Sequence, residues 1–189
     1  RQSIARMKNI AFGTAELVRG IAAGEFSAQE VLASSLERIE ATDGRVNAFS
    51  GKSYERARRE AAAIDRMRTR GDKLPPLAGL PYAVKNLFDV AGEVTLAGSR
   101  INRSHAPAHE DAFLVQRLQA AGAVLVGSLN MDEYAYGFTT ENTHYGPCHN
   151  PHDLSCVAGG SSGGSGAAVA AQQVPLALGS DTNGSIRVP

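Results

Sequence analysis

Gly159–Pro189 reads GGSSGGSGAAVAAQQVPLALGSDTNGSIRVP, and the rest of the chain is best read from this stretch outward. Two glycine-serine clusters, Gly159–Gly166 and Gly179–Ser185, flank an apolar segment. Glycine gives the backbone access to φ > 0 and lets other groups approach the main chain closely. Serine adds hydroxyls. Two such turns joined by a helix-length stretch predict a site built from backbone N–H groups and hydroxyls. Within the stretch, the alanine-rich run Gly166–Val174 predicts a helix and Pro175–Leu178 a buried strand.

The same pattern extends upstream. Asp111–Ala121 predicts a helix with Phe113, Leu114, Leu118 and Ala121 as its apolar face and Gly122 as its stop. Ala123–Val126 follows as a fully apolar strand. Helix, glycine turn and apolar strand form the αβ step of a sheet covered on its faces. Pro75, Pro76, Gly79 and Pro81 mark a loop feeding the short apolar run Tyr82-Ala83-Val84-Lys85. Before it the pattern is helical. Residues 11–23 predict a short helix closed by Gly24. Ser27-Ala-Gln-Glu30 is a capping-box signature opening a helix with Leu32, Leu36 and Ile39 on one face, ending at Asp43-Gly44. A short strand is expected over Asn47–Ser50 and a helix over Ser53–Arg70, stopped by Gly71. The expected organisation is a single, partial α/β domain over residues 1–189, mainly helical over 1–74 and α/β over 75–189.

Composition narrows the function. With 43% hydrophobic and 20% charged residues, and nineteen basic side chains balancing nineteen acidic ones, the chain reads as an ordinary globular protein with no net pull toward nucleic acid. Arg56, Arg58, Arg59, Arg66, Arg68 and Arg70 alternate with Glu55, Glu60 and Asp65, which predicts a solvated helix face. No apolar run approaches the ~18 residues of a membrane span, and residues 1–24 lack a signal peptide's continuous apolar region. Cys148 and Cys156 do not make a disulfide framework, so a reduced, cytoplasmic setting is expected. A first residue other than Met and a last residue directly after a motif suggest a truncated domain.

Four chemistries compete for the conspicuous residues. Gly159 and Gly164 have the spacing of a phosphate-binding loop, but Ser165 stands where that loop needs lysine. Gly159-Gly160-Ser161-Ser162-Gly163 fits a nucleophile elbow, which requires a histidine after the serine, and none follows Ser161 in this sequence. His144, Cys148, His149, His152 and Cys156 crowd one loop without a C-x₂-C pair, which favours polar loop side chains over a metal site. Finally, Ser185 follows a strand and a tight turn, where several N–H groups can converge as an oxyanion hole. Its base has to be something other than a nearby histidine. Lys85, the last lysine in the chain, ends an apolar strand, and burial there would favour the neutral amine. A strand-end lysine reaching out to water is the plain alternative.

The residues then show a family likeness. Gly159–Pro189 resembles the amidase signature, which runs from GGSSGGS to DTGGSIR-x-P. Leu77–Asn86 (LAGLPYAVKN) is similar to that family's lysine strand, and Ala120–Tyr136, Thr140-Glu141-Asn142, Gly146-Pro147 and Asn150-Pro151 match as well, so that the likeness covers about Gly13 to Pro189. It implies an amidase-signature fold, a mixed central sheet with helices on both faces. It also implies a cofactor-free amidohydrolase that cleaves a C–N amide or ureide bond through a seryl acyl-enzyme. Carried over by position, Ser185 is the nucleophile, Ser161 the bridging serine on a cis peptide bond with Gly160, and Lys85 the general base. The oxyanion donors are the N–H groups of Thr182, Asn183, Gly184 and Ser185. Asn183 stands where many members have glycine, and asparagine tolerates φ > 0 there.

DTNGSIRVP together with MDEYAYGFTTEN resembles the carboxybiuret hydrolase branch more than the glutamyl-tRNA amidotransferase branch. The expected partners are a small-molecule amide and a small accessory subunit or a second copy of the chain, with no direct nucleic-acid or membrane binding. The other readings are the glutaminase component of the amidotransferase, an inactive fragment of an amidase, and a Ser–His hydrolase using Ser161.

Overall fold

The computed structural model describes residues 13–189. Helix α1 (Thr14–Ala23) closes on Gly24 at φ +73°, and residues 11 and 12 of the expected helix lie outside the described residues. Helix α2 (Ala28–Val46) opens with the predicted capping box: Ser27 Oγ accepts from Glu30 N at 3.1 Å, and Glu30 Oε2 accepts from Ser27 N at 2.8 Å. A second carboxylate reinforces this end. Asp65, buried on helix α3 (Tyr54–Arg70), accepts from Ala28 N at 2.8 Å, Gln29 N at 3.1 Å and Gln29 Nε2 at 3.0 Å.

The far end of α2 differs from expectation. The helix continues past Asp43-Gly44 to Val46 and is capped by Asn47 at φ +55°. Asp43 does not break it. Its carboxylate instead accepts the N–H groups of Ala48 (2.8 Å) and Phe49 (3.3 Å) beyond the helix, so strand β1 begins at Phe49 and runs to Lys52. On α3, Arg58, Arg59, Arg66 and Arg70 are exposed as expected, but Arg56 is not a solvated residue. It donates to Glu60 Oε1 at 2.7 Å and to both carboxylate oxygens of Asp111 at 2.7 Å, in the forked geometry arginine favours.

Strands β2 (Pro81–Lys85), β3 (Val124–Leu129) and β8 (Leu176–Leu178) join β1 in a mixed sheet of order β1-β3-β2-β8. β3 is antiparallel to β1 and parallel to β2, and β2 is parallel to β8. Short pairs β4 (Glu141–Asn142) with β5 (Gly146–Pro147), and β6 (His149–Asn150) with β7 (Asp153–Val157), lie apart from it. Alternation assigns the two faces. Ala83, Val124 and Val126 pack with α1, α2, α3 and α5 (Gly163–Ala170), while Tyr82, Val84 and Leu125 pack with Val90 and with Val115 of α4 (Phe113–Ala120). The sheet is therefore covered by helices on both faces, as the likeness implied.

Three details correct the sequence reading. Helix α4 starts at Phe113, because the Asp111 carboxylate is held by Arg56 and by Ala91 N. Val115 then turns inward, and Phe113 and Leu114 stand 73% and 46% exposed. Helix α5 starts three residues early, at Gly163. A Cβ on Gly164 would lie 2.5 Å from Asn130 O and 2.6 Å from Ala48 O, so this glycine serves close packing inside a helix rather than a flexible loop. Strand β8 is half-buried rather than buried, because it is the edge of the described sheet.

Candidate functional site

The C-terminal ends of parallel strands β2 and β8 lie side by side, with Val84 opposite Leu178. The chain leaving β8 therefore emerges next to Lys85, the last residue of β2. In open α/β sheets this is the edge where sites form. Lys85 is fully buried, and its Nζ lies 2.6 Å from Ser161 Oγ and 2.9 Å from Ser180 Oγ. The lysine does not reach out to water. Burial pushes its pKa down to about 8, against the opposing pull of the Asp132 and Asp181 carboxylates.

The two glycine-serine clusters are stitched together by Ser162. Its N–H donates to Ser185 O at 3.1 Å, and its hydroxyl donates to Ser180 O at 3.1 Å while accepting from Ser180 N at 3.2 Å. Ser165 Oγ adds a bond to Leu178 O at 2.9 Å. The first cluster thus opens α5, the second extends β8, and their facing hydroxyls fix the spacing between them. The Gly160–Ser161 peptide bond is cis. Ser161, fully buried, turns its carbonyl to Asp132 N at 3.3 Å and its hydroxyl to Lys85.

The turn that carries Ser185 is organised by Asp181. Its carboxylate accepts from the N–H groups of Gly184 (2.8 Å), Ile186 (3.0 Å) and Arg187 (3.3 Å), and pairs with the Arg187 guanidinium at 3.0 Å. These bonds, the guanidinium first, hold the Asp181 carboxyl well below the usual carboxylate range. The arrangement alters two expectations. Gly184 N–H is committed to Asp181 rather than free as an oxyanion donor, whereas those of Thr182, Asn183 and Ser185 hydrogen-bond to none of the described residues. The positive φ of the turn falls on Gly184, at +122°, and not on Asn183. Asparagine in place of glycine at 183 therefore imposes no left-handed backbone. Ser185 is 7% exposed, and its hydroxyl hydrogen-bonds to none of the described residues.

Lys85, Ser161 and the Thr182–Ser185 turn are thus brought to one sheet edge. Lys85 is the one side chain among the described residues that hydrogen-bonds to Ser161 Oγ, and no described histidine does so. The His/Cys loop is dispersed. Cys148 is buried with its thiol pushed up to about 12 by that burial, Cys156 is exposed, and His144 pairs with Glu133 at 3.1 Å. Among the described residues no group of three or more metal-ligating side chains occurs. Sequence reasoning missed Ser180, Asp132 and Thr140. Ser180 was one hydroxyl among many, but the register of β8 against β2 sets it beside Lys85.

The family profile described as Amidase matches residues 30–189. AtzE of Pseudomonas sp. (strain ADP), a component of 1-carboxybiuret hydrolase, is 69% identical over 176 residues, 93% of this chain and 38% of its own length. The GatA-type component of the glutamyl-tRNA(Gln) amidotransferase of Anaeromyxobacter sp. (strain K) is 52% identical over 94% of this chain and 36% of its own length. Among solved structures, a vestigial protein complex bearing on the evolutionary origins of an s-triazine catabolic enzyme superposes with a TM-score of 0.94 at 68% identity, over 94% of this chain and 39% of that one. A bacterial aryl acylamidase of the amidase signature (AS) enzymes family superposes with a TM-score of 0.89 at 37% identity, over 94% of this chain and 37% of that one. The chain spans under two-fifths of the length of these relatives.

Proposed function

The chain belongs to the amidase family, and on that premise we propose that it carries the Ser–Ser–Lys centre of an amidohydrolase acting on a carboxybiuret-type amide or ureide. The observation that supports this most directly is the 2.6 Å contact between fully buried Lys85 and Ser161 Oγ. With the amine neutral, its lone pair accepts from the Ser161 hydroxyl, and one of its N–H groups is anchored on Ser180 Oγ. Ser161 passes a proton to Lys85 as it takes one from Ser185, whose oxygen attacks the amide carbon. The N–H groups of Thr182, Asn183 and Ser185 face the developing oxyanion. Ser161 then protonates the leaving nitrogen, and water cleaves the ester in the reverse sense. Lys85, Ser161 and Ser185 are the catalytic residues of this proposal, and residues 1–189 form one part of the amidase domain.

The 69% identity to a carboxybiuret hydrolase component, against 52% to an amidotransferase component, favours the first substrate class. The solved complex supports a protein partner, either a small accessory protein or a second copy of the chain. No described helix is long and apolar enough to cross a membrane, and a cytoplasmic setting belongs to the same proposal. The test is labelling of the full-length protein with a fluorophosphonate, followed by peptide mapping and ammonia-release assays. Label on Ser185, lost in Ser185→Ala, and ammonia from biuret-type compounds are expected. Label on Ser161 instead would overturn the assignment of roles, and glutamine as the only good substrate would overturn the substrate class.

A further inference from the structure

Asp132 stands out among the buried charged groups. It is 8% exposed and lies in the loop that follows β3. Both of its carboxylate oxygens accept from a single donor, Thr140 N, at 3.0 and 3.1 Å. A carboxylate has room for about four hydrogen bonds, so capping Thr140 is a poor reason to bury one. Two glycines enclose it. A Cβ on Gly160 would overlap Asp132 Oδ2, and a Cβ on Gly137 would lie 2.5 Å from Asp132 Cγ. The carboxylate therefore rests directly on the backbone of Gly160, the residue before Ser161, while Asp132 N donates to Ser161 O at 3.3 Å.

Thr140 completes a ring. It is fully buried at φ +54°, a conformation a β-branched residue rarely adopts. Its Oγ1 accepts from Gly163 N at 3.1 Å, in the first turn of α5. One carboxylate thus fixes both flanks of Ser161: Gly160 directly, and Gly163 through Thr140. Simple loop closure would explain the contacts but would need no charge. The charge has a second target, since the two acidic groups felt by Lys85 are Asp132 and Asp181. Asp181 is neutralised locally by Arg187, whereas among the described residues Asp132 has no cationic partner within ion-pair distance.

We propose that Asp132 is the positioning residue of this site, holding the Gly160–Ser161 peptide against Lys85 and keeping a carboxylate without a cationic partner in the wall of the site. The inference rests on the Lys85–Ser161–Ser185 reading. Asp132 touches no reacting atom. It acts through Ser161 by contact and through Lys85 by its field.

The test follows the rate of fluorophosphonate acylation of Ser185 against pH, in the full-length protein, for wild type, Asp132→Asn and Asp132→Ala. Asparagine keeps an acceptor for Thr140 N but loses the charge. Its plateau rate should stay within a few-fold of wild type, while the midpoint of the acid limb moves to lower pH by roughly half a unit or more, because removing a nearby negative charge disfavours the ammonium. Alanine loses both functions, and its plateau should fall at least tenfold. Unchanged midpoints in Asp132→Asn, with Ser185 and Lys85 still required, would overturn the role of Asp132 alone. Acylation that survives Lys85→Met with an unchanged pH profile would overturn the underlying reading and this inference with it. A midpoint that rises in Asp132→Asn would contradict the sign of the field. Circular dichroism of each variant separates a lost fold from a lost position.

Discussion

Replacing Lys85 with methionine should make the protein more stable and inactive at once. The lysine is fully buried, and its pKa falls from 10.5 to about 8. At ~1.4 kcal/mol per pH unit, that fall means the folded state resists protonation by about 3 kcal/mol more than the unfolded chain does. The sign follows from which state holds the proton. Between pH 8 and 10.5 the unfolded chain keeps a proton that the folded protein has lost, so stability rises with pH through that window. Below about 8 both states are charged, and the full penalty is felt.

Methionine has a similar length and no charge, so it removes this penalty. It also removes the bonds to Ser161 Oγ (2.6 Å) and Ser180 Oγ (2.9 Å). One buried hydroxyl, Ser161, and one half-buried hydroxyl, Ser180, each lose a partner at about 1 kcal/mol. At pH 7 the net gain is about 1 kcal/mol, and by pH 10.5 the balance reverses to a loss of about 2 kcal/mol. Urea unfolding of wild type and Lys85→Met from pH 7 to pH 10.5 measures this directly. The difference curve matters, because it cancels groups common to both proteins. A difference that is flat across the window would refute the claim that burial lowers the Lys85 pKa, and fluorophosphonate acylation of Ser185 retained in Lys85→Met would refute its use as the base.

Three further predictions concern the scaffold around this site. Asp65→Ala removes the carboxylate that accepts three bonds from Ala28 and Gln29, and should lower stability by about 2 kcal/mol in urea unfolding. Gly164→Ala places a methyl 2.5 Å from Asn130 O in a first helical turn, and should destabilise by about 3 kcal/mol or more, read as a lowered unfolding midpoint with loss of labelling at Ser185. Ser180→Ala deletes one anchor of Lys85 while leaving the Ser162 bonds to its backbone intact. It should slow acylation roughly fivefold, the rate equivalent of about 1 kcal/mol, with little change in melting temperature.

Some of this could be read without coordinates, for local physical reasons. The capping box at Ser27–Glu30, the glycine stops at Gly24 and Gly71, and the apolar run ending in Lys85 involve groups a few residues apart, and they appear as expected. The class of the fold followed from the αβ step around Gly122, because a helix, a left-handed glycine at φ +86° and a fully buried strand leave few alternatives. The glycine-serine stretch itself holds the Ser161 hydroxyl that meets Lys85, and its missing lysine at 165 argued against phosphate binding.

What the chain order could not fix was decided by where side chains turn in the folded chain. Asp43 looked like a helix stop, and became a cap for β1 only because Ala48 and Phe49 fold back to it. Arg56 looked solvated until Asp111, fifty-five positions away, paired with it. Gly184 looked like an oxyanion donor, but the Asp181 side chain claims its N–H. Asp132 and Thr140 lie in stretches that carry the likeness, yet no sequence pattern assigned them a role, since that role lies in touching both flanks of Ser161. Lys85 and Ser161, seventy-six positions apart, meet because β8 pairs with β2 in parallel and Ser162 ties one cluster to the other. The sequence supplied the reactive groups, which are properties of single side chains. The tertiary structure decided which of them share a dry space, and on that depends whether a lysine is a surface charge or a base.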